Sequence, residues 1–234
     1  MGVKEKIINF GYKVLNSRYF SRLFSSYRVT WELAGLTKST ARDAVLRGVK
    51  NEEEFWLSGK EVAERLKEFI NENSIVLDVG CGMGRAEKWL ASYCKEIHGV
   101  DVSGRMISFA RKNIKAENAF FHRNNGRDLS IFPDNKFDFV FSLLTLQHLE
   151  KEDAYIKEIY RVLKPGGRAY LQFPNFLSDE VFKWFVDYAE RGSRHIARVR
   201  GYTVPEVEKM MNSIGSKDLE IKVEGDDIIA IWKK

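Results

Sequence analysis

The stretch Val76-Leu77-Asp78-Val79-Gly80-Cys81-Gly82-Met83-Gly84-Arg85 joins an apolar run to a cluster of glycines and sets a carboxylate two residues before the first of them. A strand feeding a glycine turn is the usual frame for a nucleotide phosphate, because glycine lets backbone approach closely and the next helix offers its N–H groups to an anion. Dinucleotide turns follow G-x-G-x-x-G. Here the glycines fall at 80, 82 and 84, and Arg85 stands where the third would be. Asp78 would place negative charge beside the phosphates, which Coulomb repulsion disfavours.

A second acid narrows the choice. Asp101, in Gly99-Val100-Asp101-Val102-Ser103, follows Gly80 by 21 residues (101 minus 80), the distance at which a carboxylate at the end of the next strand can grip two ribose hydroxyls. An adenosine cofactor without phosphate satisfies both acids. S-adenosylmethionine is one: its sulfonium and ammonium make Asp78 tolerable or favourable, and the glycines then serve close approach to its methionine part. Asp101 could instead cap the next helix, as could Ser103. Cys81 reads as a small filler of the turn.

The elements that must position these residues alternate from Ile75 onward. Strands are expected at 75–79, 96–101, 118–122, 137–143 and 167–173, with helices at 84–93, 104–115 and 151–164 between them, the pattern of a mostly parallel sheet covered by helices. The run Phe137-Asp138-Phe139-Val140-Phe141-Ser142-Leu143 is apolar on both faces apart from Asp138, as a central strand should be. Pro165-Gly166-Gly167 is expected to end the helix before it. Thr203-Val204-Pro205-Glu206 is a capping box opening a last helix to about Ile214, followed by an antiparallel hairpin of strands 218–223 and 227–232. Residues 1–73 read as helical, with a capping box at Ser58–Glu61 and an apolar stripe of Val62, Leu66, Phe69 and Ile70. Residues 174–202 form an insertion with an aromatic helix and then an arginine-rich stretch.

Taken in order, the glycine turn, Gly99–Ser103, Asn125-Gly126-Arg127-Asp128-Leu129, the 137–149 segment and Arg161-Val162-Leu163-Lys164-Pro165-Gly166-Gly167 resemble class I S-adenosylmethionine-dependent methyltransferases, in the small-molecule, methyltransferase type 11-like branch that includes quinone-ring methyltransferases. The resemblance covers about residues 55–173 well and the last two strands in outline. It implies an α/β, Rossmann-like seven-stranded sheet, mostly parallel with one antiparallel strand and helices on both faces. An N-terminal helical lid (1–73) would precede an S-adenosylmethionine-binding domain (74–234) whose 174–202 insertion faces the acceptor. It carries over Asp78, Gly80 and Gly82 as methionine-side contacts and Asp101, with Val102 beside it, as the ribose clamp. Met106 would pack on the adenine, although a Met on an apolar helix face is also ordinary core. Asn125, Gly126 and Arg127 would lie along the adenine edge; many relatives have an acidic residue at 125, and the Asn oxygen can accept the same bond.

Ser142 and His148 fall at and beyond the end of the fourth strand, beside the expected methyl donor. His148 is the candidate general base, since an imidazole titrates in the right range; it could equally orient the loop. No dedicated base is required, because a sulfonium is already activated and transfer can run on alignment and exclusion of water. Phe55 and Trp56 are candidate lid residues over the methionine end, and Phe182, Trp184, Phe185 and Tyr188 candidate walls of the acceptor site. Arg191, Arg194, His195, Arg198 and Arg200 form either an anion-binding cluster or a solvated helix face. Tyr12, Tyr19, Phe20, Phe24 and Tyr27, with nearby basic residues, either pack as a lid or touch a membrane surface.

Several acceptor chemistries are disfavoured. Methylation of base amino groups commonly uses [D/N/S]-P-P-[Y/F/W], where this chain has Ser142-Leu143-Leu144-Thr145. Pyrimidine C5 chemistry needs a cysteine nucleophile after the fourth strand, and both cysteines, Cys81 and Cys94, lie elsewhere. Metal-assisted catechol methylation needs carboxylates there, so no metal is expected. The net charge of +5 in 234 residues is a mild bias toward anionic partners, too small to imply nucleic acid. The partner expected is a small-molecule or lipid-like acceptor. Two cysteines without metal spacing, no long apolar run and no apolar leader point to the cytoplasm.

Overall fold

The computed structural model describes residues 27–46, 51–191 and 200–234. Its centre is a seven-stranded sheet of β1 (Ile75–Val79), β2 (Glu96–Asp101), β3 (Ala119–Arg123), β4 (Phe137–Leu143), β5 (Leu163–Pro174), β6 (Lys217–Glu224) and β7 (Asp227–Lys233), in the order β3-β2-β1-β4-β5-β7-β6. The first five strands pair in parallel, and β7 runs antiparallel to both of its neighbours. β1 is flanked by β2 on one side and β4 on the other, so the chain changes direction there and leaves a crevice at the carboxyl ends of these strands.

Period-2 alternation divides the core. Val76, Phe139, Phe141 and Tyr170 point to one face, against Val62, Leu66, Phe69 and Ile70. Leu77, Val79, Val140 and Leu171 point to the other, under α6 (Glu152–Val162) and α8 (Val204–Ser213). The exception in β4, Asp138, sits at the strand's start, where its carboxylate accepts from Ile75 N at 2.8 Å and from Lys164 Nζ at 2.9 and 2.8 Å.

The remaining helices are α1 (Tyr27–Ala34), α2 (Lys38–Val45), α3 (Glu52–Leu66), α4 (Glu87–Leu90), α5 (Gly104–Asn113) and α7 (Asp179–Arg191). Three boundaries differ from expectation. α3 begins at Glu52, not at Ser58, because Asn51 Oδ1 accepts from Glu54 N at 2.9 Å and three glutamates fill the first turn, leaving Ser58 inside the helix to donate to Phe55 O. The helix expected over 84–93 shrinks to α4 and a 3-10 turn. Gly84, at φ +82°, cannot open it, and Asn118 Nδ2 takes the carbonyls of Ala91 and Cys94 at its end. Pro165 and the glycines after it fall inside the long β5, which starts as soon as α6 ends.

A third apolar cluster lies under the N-terminal helices, where Ala34, Ala41, Phe55 and Trp56 meet Cys81, Met83, Met106 and Phe121. No helix among the described residues is long and apolar enough to cross a membrane.

Candidate active site

The glycine turn needs its glycines for shape. Gly80, Gly82 and Gly84 have φ of +91°, +52° and +82°, left-handed values that side chains resist. Gly80 N and Cys81 N both donate to Val100 O, at 2.8 and 3.0 Å, which draws the turn onto the end of β2. Neighbours also fill the space a side chain would need. A methyl group on Gly80 would lie 2.0 Å from Thr145 Oγ1, and one on Gly82 would lie 2.8 Å from Val45 of α2.

Three carboxyls surround this turn. Asp78 is 5% exposed at the end of β1, and Glu87, the first residue of α4, is wholly buried beside it. Apart from the neighbouring Asp78 carboxyl, no protein donor reaches either Glu87 oxygen with hydrogen-bond geometry among the described residues. Gly99 makes the room, since a Cβ there would lie 2.6 Å from Glu87 Oε1. Burial, and then the Glu87 charge, lifts Asp78 well above the ordinary carboxylate range, and burial lifts Glu87 to about 7. Two carboxyls in contact ionise one at a time. The nearby cation, Arg85, is itself disfavoured as a charge by burial and donates Nη1 to Ser58 Oγ at 2.9 Å. Sequence reasoning passed over Glu87. The available signal was an acid one turn after the glycines on the face where Leu90 and Ala91 are buried.

Asp101 faces the turn from β2. Its Oδ2 accepts from Gly82 N at 3.1 Å and its Oδ1 from Ser103 N at 2.8 Å. Burial nevertheless lifts it to about 6, against the pull of those N–H donors. Ser103 is the cap of α5: its Oγ accepts from Met106 N at 3.3 Å. Over the same helix end lies Glu32 of α1, which accepts from Ser103 Oγ, Gly104 N and Arg105 N at 3.2, 3.0 and 3.3 Å and pairs with Arg123 at 2.7 Å. Nothing in the local sequence pattern marked Glu32, because its partners lie some 70 residues away. Val102 is buried, with its carbonyl accepting from Arg123 Nε at 3.2 Å, and Met106 is packed in the cluster under the N-terminal helices.

Beyond β3, Asn125, Gly126 and Arg127 form a tight turn. The Asn125 oxygen accepts from Arg127 N and Asp128 N at 2.8 and 3.0 Å, so it is committed to its own loop. Asn124 is the buried member of the pair. It donates to Tyr155 Oη at 2.5 Å and accepts from Gly126 N at 3.2 Å, and its own N–H donates to Asp101 O at 3.0 Å. An open hollow of about 310 Å³ beside this turn is bordered by Arg28, Arg123, Asn124, Asn125 and Asp128.

At the end of β4, Ser142 is fully buried and donates to Val79 O at 2.9 Å, bracing β4 against β1 at the crevice. His148 ends a 3-10 turn, and Trp31 of α1 meets it edge to face at 5.0 Å. The structure thus gathers Asp78, Gly80, Gly82, Asp101, Ser142 and His148 around one crevice, with α1 and α2 across it. Phe182 and Phe185 of the insertion lie exposed against Phe176. Arg200 pairs with Glu152 and Glu206, joining the starts of α6 and α8. Arg194, His195 and Arg198, and Tyr12, Tyr19, Phe20 and Phe24, lie outside the described residues. No group of side chains suited to a metal ion occurs among the described residues.

Comparison with known proteins follows the same residues. The profile of a family described as a methyltransferase domain matches residues 77–171. A phosphoethanolamine N-methyltransferase of Triticum aestivum is 28% identical over 185 residues, covering 73% of this chain and 34% of the relative. A demethylmenaquinone methyltransferase of Tropheryma whipplei is 37% identical over 94 residues, 40% of this chain and 38% of that protein. The chain thus spans from about a third to 60% of the length of the first curated relatives it matches. Among solved structures, a Haloferax volcanii methyltransferase in complex with the Trm112 activator superposes with a TM-score of 0.64 at 20% identity, over 83% of this chain and 96% of that one.

Proposed function

We propose, from the methyltransferase-domain match over residues 77–171 and a fold shared with solved methyltransferases, that this chain is a class I, S-adenosylmethionine-dependent methyltransferase that transfers a methyl group to a small molecule by in-line displacement. The observation that carries this reading is the set of three acids around the turn. A phosphate would be repelled there, whereas a sulfonium and an ammonium are attracted, and Asp101 remains to hold a ribose. S-adenosylmethionine supplies a methyl group that is already activated. The chain's own residues then bind, orient and exclude water. Asp78, Gly80 and Gly82 take the methionine side; Asp101 and Val102 the ribose; Met106, Asn125, Gly126 and Arg127 the adenine edge; Ser142 holds the crevice in shape.

We assign α1 and α2 to a lid, on the strength of Glu32 gripping the start of α5 and Val45 seated on Gly82. His148, under Trp31, is the base proposed for an acceptor that must lose a proton. The acceptor is a small polar amine or a lipid-like quinone ring, the two chemistries named by the relatives.

Calorimetric titration with S-adenosylhomocysteine, beside NADH and an Asp101→Ala variant, tests the cofactor. One site per chain, weakened in the variant and closed to NADH, is expected; tight NADH binding, or an Asp101→Ala variant that binds as well as wild type, would overturn the assignment. Transfer of labelled methyl to phosphoethanolamine and to a demethylated quinol then separates the acceptors.

A further inference from the structure

Beside the glycine turn, between α2, the first turns of α3 and Met83, lies a pocket of about 270 Å³. Its apolar wall is Phe55, Trp56 and Met83, all buried in the core beneath the lid helices. Its polar wall is Lys38, Ser39 and Arg42 of α2, opposed by the single acid Glu52. Glu52 is already engaged: it pairs with Lys38 Nζ at 2.5 Å and accepts from Trp56 Nε1 at 3.3 Å. Arg42 is not balanced in this way. Its nearest carboxylate, Asp43, stands 3.7 Å from Nε, beyond hydrogen-bond length, and that buried Nε has no hydrogen-bond partner among the described residues. α2 also begins at Lys38, so the positive end of its dipole opens on the same pocket.

We propose that Lys38, Ser39 and Arg42 form an anion-binding subsite that holds a carboxylate or phosphate of a molecule bound at the glycine turn. A buried guanidinium nitrogen without an acceptor is costly, and a planar two-oxygen anion is the partner its fork matches. The Ser39 hydroxyl and Lys38 ammonium supply further donors, and Trp56 and Phe55 form the apolar wall beside them. Two sources offer this chemistry: the α-carboxylate of the cofactor's amino acid head and an anionic group on the acceptor. The first source alone rests on the cofactor reading above.

The test uses the full chain and its Arg42→Gln, Arg42→Lys and Lys38→Gln variants. Each is titrated with S-adenosylhomocysteine, with 5′-methylthioadenosine, which lacks the amino acid head, and with inorganic phosphate in the absence and presence of S-adenosylhomocysteine. Loss of a charge-assisted contact should weaken binding on the order of ten- to a hundredfold. If Arg42→Gln weakens S-adenosylhomocysteine but not methylthioadenosine, and Arg42→Lys restores part of the loss, the subsite holds the cofactor's carboxylate. If phosphate binds the loaded protein at one site and Arg42→Gln removes it while S-adenosylhomocysteine is unaffected, the subsite holds the acceptor's anion. Equal losses for S-adenosylhomocysteine and methylthioadenosine, or no loss for any anion, would overturn the proposal. Should wild type bind no S-adenosylhomocysteine, the cofactor reading fails by itself, and phosphate titration of the unliganded variants still decides this pocket.

Discussion

Glu87 offers the sharpest test of the electrostatics around the turn. Burial moves its carboxyl from an ordinary 4.5 to about 7, and Asp78 beside it is raised as well, by burial first and then by the Glu87 charge. Below pH 4.5 the folded and unfolded chains both carry the proton, and the buried acid brings no charge penalty. Between pH 4.5 and 7 the unfolded chain releases the proton while the folded one retains it, so stability falls as pH rises, and above 7 the whole penalty is present. A difference of about 2.5 in pKa is worth about 3 kcal/mol. For a domain of this size that is roughly 6–12 °C in Tm. Glu87→Gln keeps the shape, removes the ionisation and lets an amide N–H donate to Asp78. Asp101 titrates in both proteins and adds a slope common to them, so the difference between the two curves isolates the Glu87–Asp78 pair. Thermal unfolding of unliganded protein from pH 4.5 to 8.5 should show the two Tm values nearly coincident at the acid end and the variant higher by several degrees at pH 8. A gap that does not change with pH, or a wild type that is the more stable at pH 8, would refute this account.

Three further changes probe the frame. Gly80→Ala forces a side chain at φ +91° into the place of Thr145 Oγ1, and should cost more than about 2 kcal/mol in urea unfolding; a change under about 0.5 would contradict the packing described. Ser142→Ala leaves Val79 O without its buried hydroxyl donor and should lower stability by about 1–2 kcal/mol, read from the shift in denaturation midpoint at constant m. Glu32→Ala strips the start of α5 of its acceptor, so amide exchange at Gly104 and Arg105 should quicken with little change at the centre of the sheet.

The sheet was legible because its strands carry the signal in their own residues. Apart from Asp138 and Ser142, Phe137–Leu143 is apolar on both faces, and so is Val76–Val79 apart from Asp78, as a central strand between two layers should be, and the two-residue link before Asp227 allows nothing but a hairpin. The acid–glycine–acid spacing was legible for a similar reason, since Asp78, Gly80, Gly82 and Asp101 meet through two adjacent parallel strands whose register the pattern fixes. Ends were less so. Ser58 and Glu61 have capping-box spacing, yet Asn51 starts the helix two turns earlier, and a short motif cannot report a competitor upstream of it. The residues the pattern missed act across long separations. Glu32 reaches the start of α5, and Glu87 is tolerated only because Gly99, in another element, lacks a side chain. Asn125 was read from its position in a motif, while the hydrogen bonds within its loop assign its oxygen to Arg127 and Asp128.

These placements give the crevice two unlike walls. On the sheet side, Asp78 and Glu87 are buried and Asp101 half-buried around the glycines with Arg85 as the neighbouring cation, and burial has pushed all three carboxyls toward the neutral form. On the α2 side, Lys38 and Arg42 face the pocket with one acid between them. Each wall is incomplete without its opposite charge. A positive ligand group against the sheet would draw protons off the Asp78–Glu87 pair, and an anionic group against α2 would satisfy the idle Arg42 nitrogen. A molecule carrying both groups would therefore bridge the sheet and α2. Neither a phosphate-rich dinucleotide nor a neutral apolar ligand can do this, since the first is repelled by the acids and the second leaves both walls uncompensated. The charge pattern of the crevice, more than the glycine turn itself, carries the proposed preference for S-adenosylmethionine.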